Sequence, residues 1–195
     1  MKKNSLFLIQ ALIVLSLALV VGCCKKDDKG NDILQVGQKY QGGIIAYVDD
    51  TGKHGLIAAP SDQSTGIRWN NDSFFGVTTA TGTEIGTGKN NTDRIVQMQG
   101  DGAYAAKLCH DLVIDSYNDW FLPSMDELNM LYQNRLKIGG FVYKGAYWSS
   151  SEYNGPFGSS YEDGGTYAFL QEFYGGYQYF FFKSSTCRVR AVRAF

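Results

Sequence analysis

The sequence predicts an α+β domain in which two main helices pack on short antiparallel strands and hairpins, with much of the chain in loops. Three observations carry that reading. Residues 124–140 hold a specified helix start followed by one apolar stripe, and the stretches 42–59 and 166–184 are apolar extended runs broken by turn residues. Twenty-three Gly against three Pro favour tight turns over long helices.

Ser124 followed three residues later by Glu127 is a capping box: the hydroxyl takes the Glu127 amide and the carboxylate returns to the Ser124 amide. Pro123 keeps the preceding backbone extended. Met125, Leu128, Leu131, Tyr132 and Leu136 then recur three or four apart, giving one buried face until Gly139-Gly140 ends the helix. Upstream, 93–98 and 103–112 read as helix, with Gly100 and Gly102 between them. Tyr104, Ala105, Leu108, Cys109 and Leu112 make the inner face of the second piece.

Residues 42–49 and 55–59 flank the turn Asp50-Thr51-Gly52-Lys53 and form a hairpin. The stretch 60–92 reads as loop with short strands, anchored by Trp69, Phe74 and Phe75. Residues 141–151 are one or two strands around Lys144-Gly145, and 154–165 is a loop rich in Gly, Ser, Tyr and acids. Gly175-Gly176 fits a two-residue hairpin turn between 166–174 and 177–184. That register pairs Tyr174 with Tyr177, Glu172 with Tyr179 and Leu170 with Phe181 on one face, and Phe173 with Gln178, Gln171 with Phe180 and Phe169 with Phe182 on the other. Both faces are aromatic, so the pattern leaves the core face open. The last strand, 187–195, sends Val189 and Ala191 inward, while Arg188, Arg190 and Arg193 are expected to pair with internal carboxylates.

At the amino end, Lys2-Lys3 precede an apolar run from Leu6 to Val21 that stops at Gly22-Cys23. This predicts an export signal over 1–22; a spanning anchor needs about 20 apolar residues and leaves the Gly-Cys stop unexplained. Residues 23–35 are a charged tether with nothing to bury, and 36–195 form a single domain. Removing Lys2 and Lys3 from the 18 basic side chains leaves 16 against 19 acids, a formal charge of −3. With no basic stripe, a nucleic-acid partner is not expected.

Several of these pieces resemble known families. Val20-Val21-Gly22-Cys23 is similar to the bacterial lipobox, which implies acylation of Cys23 and a lipid anchor in the membrane. Lys26-Asp27-Asp28 resembles the signals that send lipoproteins of Bacteroidetes-type bacteria to the outer face of the outer membrane; a solvated tether accounts for the same residues. The run from Trp120 to Tyr132, W-x-L-P-S-x-x-E-L-x-x-L-Y, resembles the C-terminal domain of the Legionella collagen-like adhesin. Gly42-Gly43-Ile44-Ile45, the run from His54 to Ala59, Ala105-Ala106 before Cys109, Tyr147-Trp148-Ser149-Ser150-Ser151-Glu152 and the run from Arg188 to Arg193 follow the same family in order. That resemblance implies a C-type lectin-like fold and a surface role in adhesion. In the Legionella-type adhesin the domain is a trimeric, positively charged binder of sulfated polysaccharides. The net charge here has the opposite sign, so that specificity is not carried over, and a trimer rests on analogy alone.

In an export compartment Cys109 and Cys187, the cysteines left in the folded part, are expected to form a disulfide; two buried free thiols are the alternative. Cys24 is left over beside the lipidation site. His54 and His110 lack partners at the spacing of a triad or metal pair and read as structural. Trp69-Asn70-Asn71-Asp72 is close to a calcium-lectin motif but lies before the first helix. Glu152, Glu162 and Asp163 could surround calcium, but the reading taken is that they are solvated loop acids, and no cofactor is expected.

What remains is surface. Tyr153, Phe157, Tyr161 and Tyr167 alternate with Gly and Ser, a composition of stiff contact area and adaptable hydrogen bonds. Tyr153, Tyr161, Glu152, Asp163, Tyr177 and Tyr179 are the candidate ligand-binding residues, with Trp148, Phe169 and Phe182 assigned to the core. The reading is a surface-exposed outer-membrane lipoprotein that binds an extracellular glycan or protein without catalysis. Its rivals are a degenerate relative of the formylglycine-generating enzymes, which share a similar helix start, and a structural envelope or pilus-associated component.

Overall fold

A computed structural model describes residues 33–71, 76–155 and 165–195. The first sheet opens with β1 (Lys39–Tyr40), β2 (Gly43–Val48) and β3 (Gly55–Ala58). The predicted hairpin is present, with a bulge between Ile45 and Tyr47, and Asp49 organises its turn by accepting from the Thr51 hydroxyl at 2.7 Å. β4 (Ser64–Arg68) follows in the long loop region, and next to it Trp69 is buried, its indole N–H donating to the Ser149 carbonyl at 2.8 Å.

The helices come next. α1 (Gly88–Gln99) begins earlier than the sequence pattern indicates, and α2 (Ala105–His110) buries Ala105, Ala106 and Cys109. α3 (Met125–Gln133) starts with both halves of the capping box formed. The apolar stripe expected to reach Leu136 does not. The helix breaks at Asn134, whose side chain donates to the Ala46 carbonyl at 3.0 Å, and restarts as α4 (Arg135–Ile138), leaving Leu136 90% exposed.

The second sheet uses β5 (Ala146–Tyr153), β6 (Tyr167–Glu172), β7 (Gln178–Phe182) and β8 (Thr186–Val189) in the order β4-β8-β5-β6-β7, with β5 and β8 parallel. The final stretch, expected as one strand, is two: β8 stays in this sheet, while β9 (Val192–Ala194) crosses to the first sheet beside β3. Arg190 sits at the crossover, fully buried against Asp62 at 2.7 Å with its guanidinium 4.2 Å from the Phe141 ring centroid.

Two apolar clusters result. One gathers Trp69, Trp120, Trp148, Ile95, Cys109, Cys187 and Val189 around α1, α2 and the second sheet; the other gathers Ala46, Leu128, Leu131, Tyr147 and Phe173 under α3. Residues Ile33–Phe195 make one compact unit. A unit that carries its own core can fold alone.

The expected disulfide is not formed. Cys109 and Cys187 are free thiols in the same cluster, where each packs as a small apolar group. Burial pushes Cys187 up to about 12 and Cys109 higher still.

Candidate ligand-binding surface

β6 and β7 pair Tyr167 with Phe182, Phe169 with Phe180 and Gln171 with Gln178, two residues away from the register that a Gly175-Gly176 turn would impose. The connection is a longer loop, 173–176, because Phe173 is drawn in. Its ring lies 4.4 Å from that of Tyr147, and its amide donates to the Gly145 carbonyl at 2.9 Å. Burying that ring outweighs the tighter turn.

A shift of two residues keeps the faces, since side chains alternate with period two. Ala168 and Leu170 enter the core. On the other face Tyr153 stacks on Phe180 with centroids 4.1 Å apart, and Phe169 meets Tyr153 edge-on at 5.5 Å. Tyr167 and Phe182 lie 4.8 Å apart. Cross-strand aromatic pairs of this kind add stability beyond the area they bury.

β7 is the outer strand of its sheet among the described residues, and aromatics emerge on both sides of it. Tyr177 is 71% exposed, and Tyr179, Phe181 and Phe182 are 40%, 43% and 48% exposed. Phe182 therefore does not belong to the core as expected: it points away from Ala168 and Leu170 on the outermost strand. Tyr143 and Tyr174, edge to face at 5.1 Å, extend this strip, and the Lys144 ammonium lies 5.9 Å from the Tyr174 centroid.

The other predicted site residues fare differently. Tyr161 and Asp163, with Phe157 and Glu162, lie outside the described residues. Tyr153 is half-buried in the ladder, and Phe169 is half-buried beside it. Glu152 is not available to a ligand or to calcium. Its carboxylate accepts from the Thr78 amide at 2.9 Å, from the Thr78 hydroxyl at 3.0 Å and from the Lys183 ammonium, all away from solvent. A buried carboxylate is retained only when so compensated.

The three arginines near the carboxyl end are committed to the fold. Arg188 and Arg190 both meet Asp62, and Arg193 holds Asp119 through two bonds of 2.7 and 2.9 Å. The arginines thus make the internal pairs expected of them. His54 is exposed at the first hairpin, and His110 contacts the adjacent Asp111 at 2.9 Å. Among the described residues no three His, Cys, Asp or Glu side chains gather as a metal site, and no helix there is long and apolar enough to cross a membrane.

The profile of the family described as the Lcl C-terminal domain, from the Legionella collagen-like adhesin, matches residues 59–193. The chain belongs to that family. No curated protein matches the chain. The Lcl C-terminal domain is a non-catalytic, adhesin-associated domain, and the geometry explains what its motifs do. In the Trp-Ser-Ser-Ser-Glu run the Ser151 hydroxyl donates to the Gly82 carbonyl at 2.7 Å, and the Ser150 and Glu152 amides donate to Pro123 and Ala80.

In the Leu-Pro-Ser-x-x-Glu run of this Lcl C-terminal domain, Glu127 accepts from the Ser124 amide at 2.7 Å and from the Gly86 amide at 2.8 Å. Burial raises the pKa of Glu127, and amide hydrogen bonds from Ser124, Gly86 and Gly88 pull the other way. Gly88 must be Gly because a Cβ there would strike that carboxylate. The residues of these two motifs are buried scaffold. Phe181, Phe182, Tyr174 and Tyr143 belong to the exposed strip but were not singled out as ligand residues. The alternating pattern of 166–184 does not reveal that its second strand is outermost.

Proposed function

We propose that this chain is a cell-surface lipoprotein, anchored through acylated Cys23 after removal of 1–22 and held off the outer membrane by the tether 23–35. Its Lcl C-terminal domain, 36–195, binds an extracellular glycan or protein without catalysis. The observation that carries the reading is the run of exposed aromatics on β7 and its loop, Tyr174, Tyr177, Tyr179, Phe181 and Phe182. Contiguous exposed apolar surface on a soluble domain marks an interaction site, and Tyr is the side chain that recognition surfaces favour. Rings of this kind stack on sugar faces or on a partner's side chains. Two helices beside mixed sheets, with the last strand returning to pair with an early one, suit a C-type lectin-like arrangement.

Glycan-array and cell-surface binding by residues 33–195, compared with a Tyr177→Ala, Tyr179→Ala variant, tests the reading. Both positions are exposed, so the variant folds, and binding is expected to fall by about tenfold or more, as for a pair of hot-spot aromatics. Undiminished binding would remove the strip from the site. The outer position of β7 also favours a second reading, strand-edge assembly with another chain; sedimentation showing concentration-dependent self-association that the same variant abolishes would support it.

A further inference from the structure

A cavity of about 460 Å³ opens on the first sheet, between the β2–β3 hairpin, β9, the loop at Ile85-Gly86 and the start of α1. Its volume falls within the range of small-molecule sites. None of the binding residues assigned above lines it. Leu56 and Phe121 form an apolar floor, and the half-buried rings of Tyr47 and Phe195 stand beside them.

The polar groups on its wall are already fixed in place. Asp119 is gripped by Arg193 through both oxygens, and Arg193 is itself held by the Gln41 side chain at 2.6 Å and lies 4.1 Å from the Tyr117 ring centroid. Each carboxylate oxygen has two lone pairs, so Asp119 keeps acceptor capacity toward the cavity. Asp49 uses Oδ1 for the Thr51 hydroxyl and for the Thr51 and His54 amides, at 2.7, 3.1 and 3.3 Å. Lys89 spends its ammonium on both oxygens of Asp93 at 2.7 Å. Glu127, at the inner wall, has its oxygens taken by backbone amides.

These commitments decide the class of ligand. An anion would face three carboxylates and a lysine already answered by Asp93. A cation would find Asp119 answered by Arg193, the Glu127 oxygens taken by backbone amides and Asp49 Oδ1 taken by its own turn. A neutral ring with several hydroxyls meets neither penalty: it donates to lone pairs left on the carboxylates and lays its C–H face on the apolar floor.

We infer that this cavity, lined by Asp49, Asp119, Leu56 and Phe121, is a second binding site, for one uncharged pyranose unit. It goes beyond the aromatic-strip reading and does not depend on it.

The test is a titration of ¹⁵N-labelled residues 33–195 with methyl glucoside, methyl galactoside and N-acetylglucosamine, followed by amide shifts. At least one of the three should give saturable shifts at Gly55, Gly86 and Ala194, with a Kd in the millimolar range, about 1–10 mM for so small a ligand. Ala194→Trp, which plugs the cavity from an exposed position, and Ile85→Trp, which plugs it from the loop, should each weaken those shifts by about tenfold or more. The Tyr177→Ala, Tyr179→Ala variant should leave them unchanged. Shifts confined to 177–182, no saturation with any of the three, or insensitivity to both plugs would overturn the cavity site. Tighter binding of glucuronate or glucosamine would overturn its neutrality.

Discussion

Lys183 and Glu152 form an ion pair that neither side chain shares with solvent, across a sheet in which β6 separates β5, which carries Glu152, from β7, which Lys183 directly follows. The Lys183 ammonium also lies 4.5 Å from the Trp69 ring centroid, and the Lys183 carbonyl accepts from the Trp69 amide at 3.0 Å. Burial lowers the pKa of Lys183 and Glu152 opposes that. The pair ties the end of β7, the end of β5 and the loop at Thr78 into one knot. Removing one buried partner strands the other charge, so Lys183→Met should cost about 3–5 kcal/mol in urea unfolding. Adding Glu152→Gln should recover at least about 1 kcal/mol through coupling. Additive costs would mean that the two groups do not stabilise each other.

The capping box allows a ranked test. Ser124→Ala removes one cap and should cost about 1 kcal/mol. Glu127→Gln presents an NH₂ to backbone amides that need an acceptor, so about 1–3 kcal/mol is expected. Chemical denaturation should therefore order the variants with Glu127→Gln the less stable; the reverse order would show that Glu127 does not hold the 82–88 loop to α3.

Acid sensitivity follows from Asp119. The hydrogen bond from Arg193 is the largest influence holding its pKa below the usual value. A carboxyl whose folded pKa is depressed contributes stability above the unfolded value, near 3.9, and loses it as pH falls through the folded value. Asp119→Asn should therefore destabilise by about 1–2 kcal/mol at pH 7, a figure reduced by its partial exposure, and by progressively less below about pH 4. A constant difference across pH 2–7 would count against the pair.

The thiols separate two states of the core. In residues 33–195 Cys109 and Cys187 are the only cysteines, and both are buried with raised pKa values. Ellman's reagent at pH 8 should find no reactive thiol in the folded protein and two in guanidinium, because the thiolate is the reactive form. No thiol in guanidinium would mean that a bridge forms after all.

Two leucines from one predicted stripe should behave as opposites. Leu131 is fully buried and Leu136 is exposed. Leu131→Ala should cost about 2–5 kcal/mol and Leu136→Ala within about 0.5 kcal/mol, read by thermal or urea unfolding; similar costs would put Leu136 in the core and remove the break at Asn134.

Local chemistry was legible in the residues alone. The capping box of α3, the first hairpin, the inward face of Tyr104, Ala105 and Cys109, and the internal pairing of the three arginines follow from short-range spacing and from what a buried charge requires. The family, too, was legible from its motifs. Tyr177 and Tyr179 were marked as candidates because aromatic composition is visible without coordinates.

Other features depend on which elements meet, and spacing does not encode that. Phe173 leaves its turn for Tyr147, Leu136 is turned outward where Asn134 caps onto Ala46, and Glu152 is claimed by Lys183 from two strands away. The crossing at Arg190 places the chain's last strand beside its third, where it helps wall a cavity that no local pattern announces. Local propensity acts through neighbours in sequence. Burial of rings and charges is settled by neighbours in space, and at each of these positions the energy of the distant contact exceeded that of the local preference.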